Sequence, residues 1–150
     1  MLELVIACSV GTIAIMICAA MMNKSMDTLN YFSGSLQAEI TLIRSLGRVS
    51  EDINTAVSKD DVTIDGSKIT IVKCCGEESE KTVIYKVNDD KELVRTIDRK
   101  KEVLAINVEN FFVAKAVGVE LYNISLSCHM IINDIVHEFK QQTSASIRRH

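Results

Sequence analysis

The sequence predicts an α+β fold: one long N-terminal helix, transmembrane in its first half and amphipathic in its second, packed on a small antiparallel β-sheet. Three observations carry this. Leu4 to Met22 holds no charged residue. From Leu29 onward apolar residues recur at helical spacing, and beyond residue 60 the period drops to two, between clusters of turn formers. A single long helix followed only by short strands leaves the sheet to cover the helix's apolar stripe. With 150 residues, 47% of them apolar, the chain accommodates one folding unit.

The first segment, 2–22, reads as a membrane anchor. At about 1.5 Å rise per residue the uncharged run spans roughly 28 Å, close to the ~30 Å of a bilayer's hydrocarbon core. Leu4, Val5, Ile6, Val10, Ile13, Ile15 and Ile17 together favour insertion by about 3 kcal/mol. A cleaved secretory signal would have a basic n-region and a shorter apolar stretch. Ala19-Ala20 mimics a cleavage site, but the basic region is missing from Met1-Leu2-Glu3 and the stretch is too long. A buried core helix apolar on every side needs more protein around it than this chain supplies.

The second segment, 23–58, reads as an amphipathic continuation. Leu29, Phe32, Leu36, Ile40, Ile43, Leu46, Ile53 and Val57 fall at steps of three, four or seven. Phe32, Leu36, Ile40, Ile43, Leu46 and Ile53 are therefore expected under the sheet, so that aspartate at Ile40 would unfold the domain. Asp27, Asn30, Glu39, Thr41, Arg44, Arg48, Glu51 and Asp52 are expected on the opposite, wet face. From Leu2 to Val57 such a helix is about 84 Å long. Gly34 and Gly47 are places where it would bend.

The third segment, 62–148, reads as an antiparallel β-rich globular part. Asp65-Gly66 between Val62-Thr63-Ile64 and Ile69-Thr70-Ile71-Val72 predicts a hairpin. Asn88-Asp89-Asp90-Lys91, between Val83–Val87 and Leu93–Ile97, predicts a second. Val103–Val113 and Ile124–Met130 supply further strand-like runs. A last strand over His137–Ile147 would pair with its predecessor through Asn133-Asp134.

Glu3 is out of keeping with the anchor that follows it. Carried to mid-bilayer a carboxylate costs up to roughly 3 kcal/mol; in the headgroup layer it merely complements the positive end of the helix dipole. Its surroundings are informative. Met1-Leu2-Glu3-Leu4-Val5-Ile6-Ala7, followed by Val10, Gly11, Thr12, Ile13 and Ala14, resembles the start of mature type IV pilins and type II secretion pseudopilins, an apolar helix with one glutamate near its start. Tyr85-Lys86-Val87, Leu93-Val94-Arg95, Asn107-Val108-Glu109-Asn110-Phe111 and Ile124-Ser125-Leu126-Ser127, in that order, look like the globular part of J-type minor pseudopilins and their Gram-positive competence counterpart. The resemblance covers almost the whole chain.

That resemblance implies a pilin-like architecture and a filament subunit held in the cytoplasmic membrane, N-terminus inside and globular part outside. An assembly platform would extract it into a filament whose core is bundled anchor helices. Leu4, Val5, Ile6, Val10, Gly11, Ile13, Ile15 and Ile17 would exchange lipid for neighbouring helices. Glu3 would pair with the amino terminus of a neighbouring subunit. J-type members sit in a tip complex. The chain departs from the family in having fewer residues before the glutamate, so no cleavage site is carried over. It also has no proline, where the family often places one in mid-anchor; Gly11 is the weaker soft point available.

Catalysis has little support. His129, His137 and His150 have no metal-spaced companions, and no nucleophile motif is present. No enzyme activity, metal or cofactor is expected, and His129 and His137 read as satisfied strand histidines. Five cysteines are an odd count: a bridge from Cys74 or Cys75 to Cys128 is one reading, buried free thiols the other. The formal net charge of −3 argues against a general polyanion binder. Arg95, Arg99, Lys100 and Lys101 form a local basic run and Arg148-Arg149 another, which a DNA-uptake filament would use. Without interleaved aromatics a solvated turn and tail is the plainer reading. The expected partners are other pilin or pseudopilin subunits, the assembly platform and the bilayer. The competing functions are a single-pass anchored adaptor or sensor with an extracytoplasmic β-rich domain, and a secreted β-rich binding protein.

Overall fold

In a computed structural model, which describes residues 2–56, 58, 61–74, 80–116 and 120–147, the chain is α+β. Helix α1 runs uninterrupted from Leu2 to Asn54. It stops before the expected residue 58, where the Thr55 amide donates to Glu51 O and Ala56 bridges Lys73 on the sheet. Neither Gly34 nor Gly47 ends or divides the helix. A Cβ at Gly34 would come within 2.9 Å of Ile132 Cδ1, so this glycine permits close approach of the β7–β8 hairpin rather than a bend.

Among the described residues eight strands follow: β1 (Val62–Asp65), β2 (Lys68–Cys74), β3 (Glu80–Val87), β4 (Leu93–Ile97), β5 (Lys100–Ala105), β6 (Val108–Lys115), β7 (Leu121–Ile132) and β8 (Ile135–Ser146). Every neighbour is antiparallel and consecutive. The described strands form two sheets rather than one, β1 to β5 and β6 to β8. The run expected over Val103–Val113 breaks at Ile106-Asn107, where Asn107 adopts a left-handed backbone (φ 54°) and the chain passes between sheets. Backbone bonds from Val108 N to Lys91 O (2.7 Å) and His129 N to Asn107 O (2.9 Å) tie that junction.

Local turn chemistry explains the hairpins. Gly66 supplies the left-handed position of β1–β2. Asn133 and Asp134 (φ 51° and 62°) form the two-residue turn of β7–β8, with Ile132 opposite Ile135. Two consecutive left-handed residues match the right-handed twist of the strands, and Asn and Asp tolerate that conformation best after glycine.

Strand β8 runs beside the helix. Asn133 Nδ2 donates to Asp27 O at one end, and Ser146 N to Asn54 Oδ1 at the other. The helix covers about 40 Å between those points and the strand about 43 Å, so the two elements match in length. The core lies between helix and sheets: Leu42, Val49 and Ile53 meet Ile69, Ile71, Val83, Tyr85 and Leu93 from one sheet and Tyr122, Ile124 and Leu126 from the other, all fully buried. Each such side chain contributes roughly 1.5–3 kcal/mol.

The helix face under the sheets differs from the expected one. Leu46 and Ile53 are buried as anticipated, but Phe32, Leu36, Ile40 and Ile43 are 52–58% exposed. The buried arc is Ala38, Leu42, Ser45, Leu46, Val49, Asp52 and Ile53. At 100° per residue the two sets lie about 140° apart, so the helix carries two apolar stripes, and the sheets take the one with the small residues. Ala38 and Ser45 allow close approach, and Ser45 Oγ reaches Leu104 O at 3.1 Å. Val57, the last residue of the expected stripe, lies outside the described residues.

Candidate functional site

Three features of α1 bear on function: an apolar N-terminal segment, an exposed stripe continuing it, and a buried ionic cluster at its C-terminal end. In the first, Glu3, Leu4, Val5, Ile6, Val10, Gly11, Ile13, Ile15 and Ile17 are all exposed, and none of the apolar segment is covered by the other described residues. The helix is long and apolar enough to cross a membrane. Its hydroxyls bond internally: Ser9 Oγ donates to Val5 O and Thr12 Oγ1 to Cys8 O, both at 2.7 Å. In hydrocarbon such bonds would remove the cost of bare hydroxyls. Among the described residues no cation pairs with Glu3.

Beyond the apolar segment, Leu29, Phe32, Leu36, Ile40 and Ile43 form the exposed stripe, 52–64% accessible and about 21 Å long. Gln37, Glu39, Arg44 and Gly47 lie exposed around it. It faces away from the sheets, and nothing among the described residues covers it.

The third feature was missed in the sequence. Asp52, assigned there to the wet face, is buried. Lys73 Nζ donates to its Oδ1 at 2.6 Å; Tyr85 OH at 2.6 Å and Arg95 Nε and Nη2 at 2.9 and 2.8 Å donate to its Oδ2. Arg95 Nη1 also reaches Glu102 Oε2 at 3.3 Å. Two cations and two carboxylates thus balance. Burial pushes the Asp52 carboxyl up, but the bonds from Lys73, Tyr85 and Arg95 outweigh it and hold it below its ordinary value. Burial, then the bond to Asp52, pushes the Tyr85 hydroxyl up. For Arg95, burial works against the charge but the Asp52 bond prevails, leaving the guanidinium's pKa raised.

A carboxylate near a helix C-terminus opposes the helix dipole, and here the cations of β2 and β4 offset that. The cluster ties the last turns of α1 to β2, β3 and β4. Strand alternation was the available signal: Lys73 follows Ile69 and Ile71, Tyr85 follows Val83, and Arg95 stands between Leu93 and Ile97, each on its strand's inward face.

The remaining expected residues are dispersed. Arg95 is lost from the basic run to the ionic cluster, leaving Arg99, Lys100 and Lys101 on the β4–β5 hairpin. Arg148-Arg149 and His150 lie outside the described residues. Cys128 is a buried free thiol whose pKa is raised by that burial, so the bridge to Cys74 or Cys75 is not formed. Cys75 and the side chain of Cys74 lie outside the described residues. His129 Nδ1 is 3.0 Å from Glu109 Oε2, and His137 packs edge-on against Tyr31 at 5.1 Å between ring centroids. Among the described residues no three His, Cys, Asp or Glu side chains converge as metal ligands would.

Comparison of the chain with protein-family models, with curated proteins and with solved structures finds no match, so the functional reading rests on this geometry and on the sequence pattern.

Proposed function

We propose that the chain is a minor pilin- or pseudopilin-like structural subunit of a type IV-like filament, anchored in the cytoplasmic membrane by 2–22 with its β-rich part outside. The observation that carries the reading is the stripe Leu29, Phe32, Leu36, Ile40 and Ile43. An anchored adaptor needs an apolar segment only as long as the bilayer is thick, whereas this helix continues its apolar surface about 30 Å past Met22 on the side that the sheets leave bare. Exposed contiguous apolar surface of this kind favours protein packing. In the filament, neighbouring helices cover both anchor and stripe, and Glu3 neutralises a neighbour's amino terminus in apolar surroundings.

The test is a photo-crosslinking residue at Leu36 in the full chain, expressed in cells that make it. The expected outcome is crosslinked ladders of this chain with itself or with other helix-first subunits. Monomer alone, with membrane insertion intact, overturns the filament reading in favour of the anchored adaptor. Glu3→Ala is expected to leave insertion intact and to reduce laddering; unchanged laddering removes the role given to Glu3.

A further inference from the structure

Where the β7–β8 hairpin ends is unusual for a soluble turn. Its tip carries Ile131, Ile135 and Val136, which are 60–71% exposed, around the polar turn Asn133-Asp134. The tip is held against the helix at three points: Asn133 Nδ2 on Asp27 O at 2.9 Å, His137 on the Tyr31 ring, and Ile132 against Gly34. These points lie at the membrane end of the soluble half of α1. Asp27 stands about 7 Å beyond Met22 along the helix axis, and the interfacial layer of a bilayer is roughly 5–7 Å deep on each side. The average helix tilt of about 20°, taken toward the hairpin, lowers a tip carried ~10 Å off the axis by about another 3 Å. At the same height the helix exposes Met26 and Leu29. Lys24 lies on the hairpin-facing side, one turn nearer the anchor.

We propose that the β7–β8 tip is a second membrane contact, resting Ile131, Ile135 and Val136 in the lipid headgroup layer beside the anchor helix. The occupant is lipid because the patch adjoins the membrane-spanning surface and lies on the side of the helix away from the exposed stripe. Asp134 sets the depth: a carboxylate is tolerated among headgroups and costly in hydrocarbon, so the tip rests in the interface and does not span. Two contacts fix what one helix leaves free, namely rotation of the globular part about the anchor axis. Leaving the membrane then requires the tip to detach as well as the helix to slide. The proposal rests on the anchor part of the reading above and not on filament assembly.

The chain contains no tryptophan, so single-tryptophan variants report position directly. Val10→Trp, Ile135→Trp and Phe112→Trp, each in the full chain at one copy per nanodisc of phosphatidylethanolamine and phosphatidylglycerol, are compared using lipids brominated at shallow or deep acyl positions and aqueous acrylamide. Val10→Trp is expected to lose emission to deep bromines. Ile135→Trp is expected to lose emission to shallow bromines and to be protected from acrylamide. Phe112→Trp, on an exposed position of β6, is expected to remain acrylamide-accessible. If Val10→Trp is quenched but Ile135→Trp answers only to acrylamide, the second contact is overturned and the anchor stands. An unquenched Val10→Trp overturns the anchor itself. Quenching of Phe112→Trp by bromolipid would mean that the whole domain lies flat, which overturns the assignment to the tip. Ile131→Trp, on the outer hairpin face, repeats the measurement should Ile135→Trp perturb the turn.

Discussion

The two apolar stripes of helix α1 are built from similar residues and meet different fates. Along Ala38, Leu42, Leu46, Val49 and Ile53 the helix is sealed under two sheets; along Leu29, Phe32, Leu36, Ile40 and Ile43 it is bare. By hydrophobicity alone the bare stripe is the stronger, with larger side chains over much the same length. What favours the other is shape and charge. Ala38 and Ser45 let the strands approach, and Asp52 brings a carboxylate that Lys73, Tyr85 and Arg95 of the larger sheet satisfy. Sheet docking therefore follows the stripe with a small-residue seam and a polar key, leaving the greasier stripe for another surface.

The sharpest way to break that comparison is a matched pair of substitutions. Leu42→Asp places an unpaired carboxylate in the core at a cost of several kcal/mol, enough to unfold a domain of ordinary stability. Ile40→Asp, two residues away on the bare stripe, is expected to stay within about 0.5 kcal/mol of the parent. Urea titration of the full chain in detergent micelles, followed by near-UV dichroism of the buried Tyr85 and Tyr122, reads both. An unfolded Ile40→Asp protein would return that stripe to the core.

Asp52→Ala comes next. It takes from Lys73 and the buried Arg95 the carboxylate they share, leaving Arg95 only the more exposed Glu102, and the expected loss in the same titration is about 3–5 kcal/mol. A loss below about 1 kcal/mol would show the cluster to be as weak as a surface pair.

Tyr85→Phe removes one bond to a charged acceptor and is expected to cost about 1–3 kcal/mol. The same residues set the pH window. Asp52 is depressed when folded, so its contribution is complete above the unfolded value of about 4 and is lost as pH falls through the folded value. Tyr85 is raised when folded, so its contribution is complete below about pH 10 and fades as pH rises beyond that. Asp52→Asn is expected to flatten the acid limb and Tyr85→Phe the alkaline limb. Limbs unchanged in these variants would assign the pH dependence to other groups.

The smallest effect expected is at Ser127, whose Oγ is buried without a hydrogen-bond partner among the described residues. Ser127→Ala is expected to raise stability by up to about 1 kcal/mol. A clear loss would mean that the hydroxyl is satisfied in solution.

Much of the architecture was legible in residue order. The uncharged run from Leu4 to Met22, the Asp65-Gly66 and Asn88–Lys91 turns and the Asn133-Asp134 hairpin all rest on local physics: solvent preference, left-handed backbone positions, strand alternation. These act within a few residues and leave their mark on the chain itself. The division into two sheets at Asn107 was not legible, because a break in strand direction needs only one left-handed residue inside an otherwise apolar run.

The ionic cluster shows the same boundary from the other side. Asp52, Lys73, Tyr85 and Arg95 are far apart in sequence, and each has an ordinary solvated reading where it stands. Periodicity is enough to establish a long helix, an apolar segment of membrane-spanning length and a β-rich remainder, since each depends on neighbours along the chain. It cannot choose between two stripes on one helix, nor turn Gly34 from a bend into a seat for Ile132. Those outcomes depend on which surfaces meet, and burial free energy is a property of the contact, not of either side alone.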